Sequence, residues 1–215
     1  MTPVLPRSLF ALAVFYGGMV CVAGVLGNKQ VAMGPLAVEA GIFPFLLLVA
    51  TSSAVAEVHG SVAAGRLVRF GFVPLIVSIL LSLFVRALPA APGMQPEAEA
   101  AVAYILGATW RIWIAGLIAY GVSQFLNVTL FGLMRREGGR LLWLRGAVAS
   151  ALSQIVDTGL FITIAFWGVF PIGELLLGQV IAKVVLSLVL VPPAIYAMVA
   201  LARRLDGGAS AATQV

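Results

Sequence analysis

The chain has 215 residues, 62% of them hydrophobic and 10% charged, with a formal net charge of +5 and a mean hydropathy of +1.11. So few charges cannot cover the surface of a water-soluble domain of this length, and apolar runs of about 18 or more residues, the length a bilayer core demands, recur along it. One cysteine (Cys21) and one histidine (His59) exclude a disulfide framework and leave no His/Cys set for a metal; no cofactor motif is present.

Hydropathy predicts an all-α bundle of six transmembrane helices over residues 8–27, 41–57, 68–88, 108–134, 147–168 and 173–201. The runs are continuously apolar rather than alternating, so helices, not strands, must satisfy the backbone inside lipid. The first run follows Arg7 and mimics a signal peptide. It is too long for an ordinary apolar signal core and lacks a small-x-small cleavage site, so it reads as an uncleaved span.

The first loop, residues 28–41, is broken by Gly34-Pro35 and either dips back toward the protein or lies along the interface. The third loop opens on Pro and Gly and ends in a short Ala-rich helical piece, with Glu97 and Glu99 suited to the outer side. Residues 1–205 read as a single transmembrane domain. The Gly/Ala/Ser/Thr stretch of 206–215 reads as a disordered tail.

Nine of the thirteen Lys/Arg residues fall on one side: Arg7, Arg66, Arg69, Arg135, Arg136, Arg140, Arg145, Arg203 and Arg204. Positive-inside then places both termini in the cytoplasm of an inner membrane. The basic pI near 10.0 follows from that topology and does not call for nucleic acid.

Within the spans, SQFLNVTLF (123–131) is echoed thirty residues later by SQIVDTGLF (153–161). Gln124 with Asn127 and Gln154 with Asp157 sit at i and i+3, on one helix face each, beside Ser153 and Phe161. Antiparallel neighbours bring the two motifs to similar depth, where they form either a wet substrate site or interhelical hydrogen-bond glue. Gln179 and Lys183 follow the same logic on span six. Lys183 is too far from a helix end to snorkel, so it pairs with Asp157 or stands beside an acceptor of the ligand.

Glu57 and His59 at the inner end of span two, and Arg111 at the outer end of span four, are either interfacial anchors or site residues. Glu57 stands in a tight EVHG turn closed by Gly60. Trp110, Trp113, Trp143 and Trp167 lie near span ends as belt residues, with one or two free to stack on a planar ligand. Gly17, Gly18 and Gly24 in span one permit close helix packing, including a homodimer.

These residues resemble those of the queuosine precursor transporter family, the vitamin-uptake-transporter-like carriers. The likeness runs from Asn28-Lys29 to Pro192 and is strongest through SQFLNVTLF, GRLLWLR (139–145) and SQIVDTGLF. Gly41-Ile42-Phe43-Pro44, Glu57-Val58-His59-Gly60, Lys183 and Pro192 also fit the pattern. The chain departs from it at Ser52-Ser53-Ala54-Val55-Ala56, where an Asp and an Asn are frequent. It departs again at His59, often Tyr, and at Asn127, often Asp.

The resemblance implies a six-helix inner-membrane carrier whose cargo is a 7-deazaguanine base, 7-cyano- or 7-aminomethyl-7-deazaguanine, salvaged for tRNA modification. A guanine-like edge offers two parallel donors that a carboxylate accepts together, and an oxygen that accepts from an amide or ammonium. Asp157, Gln124, Gln154, Asn127 and Lys183 supply that complement, with Glu57 as second acid.

An enzyme is disfavoured. The only other Asp is Asp206, outside the spans, and no nucleophile motif or phosphate-binding glycine loop is present. The closer rival is a substrate-binding subunit of an energy-coupling-factor transporter, which is also six-helical but needs partner ATPases.

Overall fold

A computed structural model describes residues 5–34, 36–107, 110–134, 141–169 and 171–212. Six long helices carry the fold: α1 (Arg7–Leu26), α2 (Ile42–His59), α3 (Ser61–Ala87), α5 (Trp110–Leu133), α6 (Leu142–Phe166) and α7 (Gly173–Ala212). Each contains a stretch long and apolar enough to cross a membrane. A short α4 (Pro96–Ile105) starts with Pro at its first position and Glu97 and Glu99 in its first turn, which suits the positive end of a helix.

Between α1 and α2 lies an element that the all-α expectation lacked. Strands β1 (Gln30–Met33) and β2 (Leu36–Glu39) form an antiparallel hairpin with Gln30 opposite Glu39 and Met33 opposite Leu36. Gly34, at φ 62°, supplies the left-handed backbone of its turn. The loop therefore dips into the bundle: β2 packs on α7 and Val38 is fully buried.

Three helix boundaries differ from the hydropathy estimate. α3 begins at Ser61, because the chain turns at Gly60 (φ 88°) and the Arg66–Arg69 stretch is already helical. α6 begins at Leu142, since Arg145 is buried inside the bundle rather than left in a polar loop. α7 does not stop before Asp206 but continues to Ala212; its Asp206 is engaged by α1, and residues 213–215 lie outside the described residues.

α2 is the most buried span and packs against α1, α3, α5 and α7. Its small residues make that central place habitable. From Leu48 to Ala56 every side chain is buried, and Thr51 and Ser52 direct their hydroxyls to backbone carbonyls of their own helix, Leu47 at 2.6 Å and Val49 at 3.1 Å. The outer face of α3 is the opposite case. Phe70 is 71% exposed, with Leu80, Leu81 and Phe84 also turned outward, a surface that suits acyl chains and not water.

Inside, Tyr16 of α1 and Tyr120 of α5 meet hydroxyl to hydroxyl at 3.0 Å, and Tyr120 donates to the Val68 carbonyl of α3 at 3.0 Å. Gly71 leaves the room for this junction: a Cβ there would overlap the Tyr120 hydroxyl and approach the Tyr16 ring at 2.7 Å.

The end of the bundle that carries the termini is closed by two polar clusters. Asp206 of α7 accepts from the Ser8 backbone N–H at 3.0 Å and from Ser8 Oγ at 2.6 Å, and His59 Nε2 lies 2.7 Å from the same Oγ. With the Ser8 proton given to Asp206, His59 is the donor to Ser8, so the three form a clasp of α1, α2 and α7. Asp206 does not orient the far nitrogen of His59, as a hydrolytic relay would require. Beside it, Arg145 of α6 pairs with Glu57 of α2 at 3.0 Å, donates to the Phe131 carbonyl of α5 at 3.2 Å, and lies 4.3 Å over the Phe131 ring.

Two stability outcomes follow. Gly71→Ala destabilises the detergent-solubilised protein by about 1–3 kcal/mol through overpacking, read as a lower melting temperature. Glu57→Gln, which strands the buried Arg145 charge, costs on the order of 3 kcal/mol, whereas replacing Glu57 and Arg145 together by leucine costs much less.

Candidate functional site

The chain alternates direction through its six long helices, so the ends of α1, α3 and α6 and the starts of α2, α5 and α7 gather at the end opposite the termini. There they border a partly open cavity of about 840 Å³, whose wall also takes in the hairpin and α4. Pockets for small molecules run roughly 300–1,000 Å³, and this one falls within that range. Its walls are largely apolar and aromatic, including Phe45, Trp113, Tyr120 and Phe161. Phe161 meets Phe166 edge to face at a centroid distance of 6.2 Å. The Trp113 indole N–H is buried without a hydrogen-bond partner among the described residues, leaving a donor beside the cavity.

Asp157 of α6 and Lys183 of α7 line the cavity, and Lys183 Nζ lies 3.3 Å from Asp157 Oδ2. The other carboxylate oxygen, Oδ1, accepts from Ser123 Oγ of α5 at 3.2 Å. Both charged groups are buried. A charge in hydrocarbon costs ~2.5–3.5 kcal/mol on insertion scales, and each here offsets the other. A carboxylate has about four lone-pair directions, so Asp157 retains capacity to accept from a guest in the cavity.

Along the helices on both sides of the Asp157–Lys183 pair lie buried amides and hydroxyls. Gln124 and Asn127 turn toward α2 rather than toward the second SQ motif: Gln124 Oε1 is 3.3 Å from Ser52 Oγ, and Asn127 Nδ2 is 3.1 Å from both Ser52 Oγ and Ser53 Oγ. Two of the positions where the chain departs from the pattern it resembles are thus partners of one another. Gln154 is fully buried, and neither of its amide atoms has a hydrogen-bond partner among the described residues. The same holds for Thr158 Oγ1, Gln179 Oε1 and Ser187 Oγ, which with Gln154 form a polar seam along α6 and α7. Ser153 donates to the Ser150 carbonyl of its own helix at 2.9 Å.

Of the residues singled out from sequence, Asp157, Lys183 and Phe161 come together on the cavity wall. Gln124, Asn127, Gln154, Ser153 and Gln179 are buried outside its lining. Two others are drawn elsewhere. Glu57 is held by Arg145 near the terminal end. Arg111 donates to the Ile164 carbonyl at 2.9 Å and the Trp167 carbonyl at 2.9 Å, placing a cation on the negative end of α6.

The sequence reading missed Glu39 and Gln30 on the hairpin, which line the cavity, and Ser123, which holds Asp157. Ser123 had a signal, being the first residue of the SQ motif itself and one helical turn before Asn127 on the same face. The hairpin pair had only a weak alternation across four-residue strands.

Residues 39–198 match the family described as "Putative vitamin uptake transporter". Over 117 residues, 54% of this chain and 50% of the relative, the sequence is 32% identical to the "Probable queuosine precursor transporter" of Bacillus subtilis (strain 168). The match thus spans about half the length of that relative. No solved structure matches. The family match begins at Glu39 on the hairpin and takes in the Asp157–Lys183 pair, helices α2 to α6 and α7 as far as Met198, and on its extent the chain belongs to this vitamin uptake transporter family of membrane proteins.

Proposed function

We propose that this chain imports a 7-deazaguanine precursor of queuosine across the inner membrane, with both termini in the cytoplasm and the cavity open to the outside. The observation that carries the reading is the Asp157–Lys183 pair set in the wall of a cavity of about 840 Å³ with aromatic sides. Asp157 accepts the donor edge of the base, Lys183 donates to its ring oxygen, and Phe161 or Trp113 covers its flat face. The name of the Bacillus subtilis relative supports the cargo class. The arginine count supports the orientation, since nine of the thirteen cations fall in segments that hydropathy assigns to the side of the termini.

Translocation then requires the terminal end to open. The Ser8–His59–Asp206 clasp and the Arg145–Glu57 pair are the contacts that must separate. The polar seam of Gln154, Thr158, Gln179 and Ser187 offers the cargo hydrogen bonds beyond the Asp157–Lys183 pair.

The decisive assay is uptake in a strain unable to make deazaguanines, scored by queuosine in its tRNA. Asp157→Asn and Lys183→Met each reduce rescue about tenfold or more while the protein still reaches the membrane. Full rescue by either variant at normal expression removes that residue from the site. Purified chain in liposomes transports the base without partner ATPases. A requirement for such partners would instead identify a substrate-binding subunit.

A further inference from the structure

The register of the hairpin puts Gln30 and Glu39 opposite each other, hence on one face, and both line the cavity. Val38, the next residue back, points the other way and is fully buried in the packing. β2 rests on α7, the helix of Lys183. The neck of the hairpin is fixed by close approach: a Cβ on Gly41 would stand 3.1 Å from both the Ala23 carbonyl oxygen and the Gly27 Cα. Glu39 is therefore held at the cavity wall by a short, braced element and does not hang from a free loop.

Not every charged group around the cavity is paired. Asp157 and Lys183 satisfy each other at 3.3 Å, and Ser123 takes the remaining Asp157 oxygen. Arg86 also lines the cavity but is exposed. Glu39 is half-buried, and beyond the backbone pairing of the hairpin its carboxylate makes no hydrogen bond or ion pair among the described residues. Burial pushes its carboxyl up, Lys183 pulls it back, and the Asp157 charge pushes it up again. Glu39 thus shares the electrostatic neighbourhood of the pair without being bound into it. A partly desolvated carboxylate with no partner is costly, and a guest that brings an ammonium removes the cost with a charge-assisted hydrogen bond.

We propose that Glu39 is a specificity-determining residue that favours a cargo bearing a cationic arm, its carboxylate pairing with the ammonium while Asp157 and Lys183 hold the ring. This rests on reading the cavity as the cargo site of a carrier. A neutral arm such as a nitrile leaves Glu39 desolvated and unpaired, so the cavity discriminates against it by omission of a partner.

The test compares uptake of 7-aminomethyl-7-deazaguanine, which carries the ammonium, with that of 7-cyano-7-deazaguanine, which does not. Wild type is expected to take up the ammonium base about tenfold more efficiently at equal concentration. Glu39→Gln is expected to lower uptake of the ammonium base about tenfold and to leave the nitrile base within about threefold of wild type. Equal losses for both bases, or an unchanged preference, overturn the assignment. Should Glu39→Gln not accumulate in the membrane, competition in wild type decides: equal inhibition by the two bases overturns it, and stronger inhibition by the ammonium base supports it. Transport of neither base by wild type sinks the carrier reading itself, whereas transport of both without preference sinks only the role of Glu39.

Discussion

Asp157 and Lys183 face each other at 3.3 Å between α6 and α7, and the rest of the bundle is arranged around that contact. Neither group survives alone in an apolar interior. Their pairing fixes the rotation of both helices about their axes. Ser123 ties α5 to the same carboxylate, so three helices share one node. Because the pair also lines the cavity, the contact that sets the helix packing is the one a guest would meet. A ligand that competes for Asp157 or Lys183 acts on the packing of α5, α6 and α7 at the same time.

Polar satisfaction is unevenly distributed along the bundle. At the terminal end Ser8, Asp206 and His59 engage one another, and Arg145 is held by Glu57 and the Phe131 carbonyl. Near the middle, Gln154, Thr158, Gln179 and Ser187 keep buried atoms without partners among the described residues. Each such atom costs about 1–3 kcal/mol, which a purely structural seam would have exchanged for leucine. The bundle thus has a tied terminal end, an under-satisfied middle and a cavity at the opposite end. The central α2 makes this workable. Its buried Ser52 and Ser53 accept from Asn127, and Ser52 Oγ meets Gln124 Oε1, without the bulk that would fill the space between helices.

The hairpin changes the character of the cavity. Without it the wall charges would reduce to a neutral pair with an exposed arginine at the side. With it, a second acid, unpaired, stands beside that pair on a rigid support. Four-residue strands are short, and in water an isolated hairpin is marginal. This one is held because Val38 is buried among the helices and glycines at its neck allow close contact with α1.

The number of spans, their approximate limits, the helical piece before α5 and the turn at Gly60 were legible in the sequence, because hydropathy, proline and glycine act locally. The Asp157–Lys183 pair was legible for a related reason: a lysine deep in an apolar helix has few permissible partners, and one acid lay in the neighbouring span. Spacing alone could not say which helix the shared face of Gln124 and Asn127 would meet, and tertiary packing turned it toward α2. The same packing took Glu57 to Arg145 and Arg111 to the end of α6, carried α7 past Asp206, and brought Glu39 to the cavity. An amino-acid sequence sets how much apolar and charged surface each segment must hide, but the partner of each polar group depends on helix rotation, and that is decided only when all the faces pack at once.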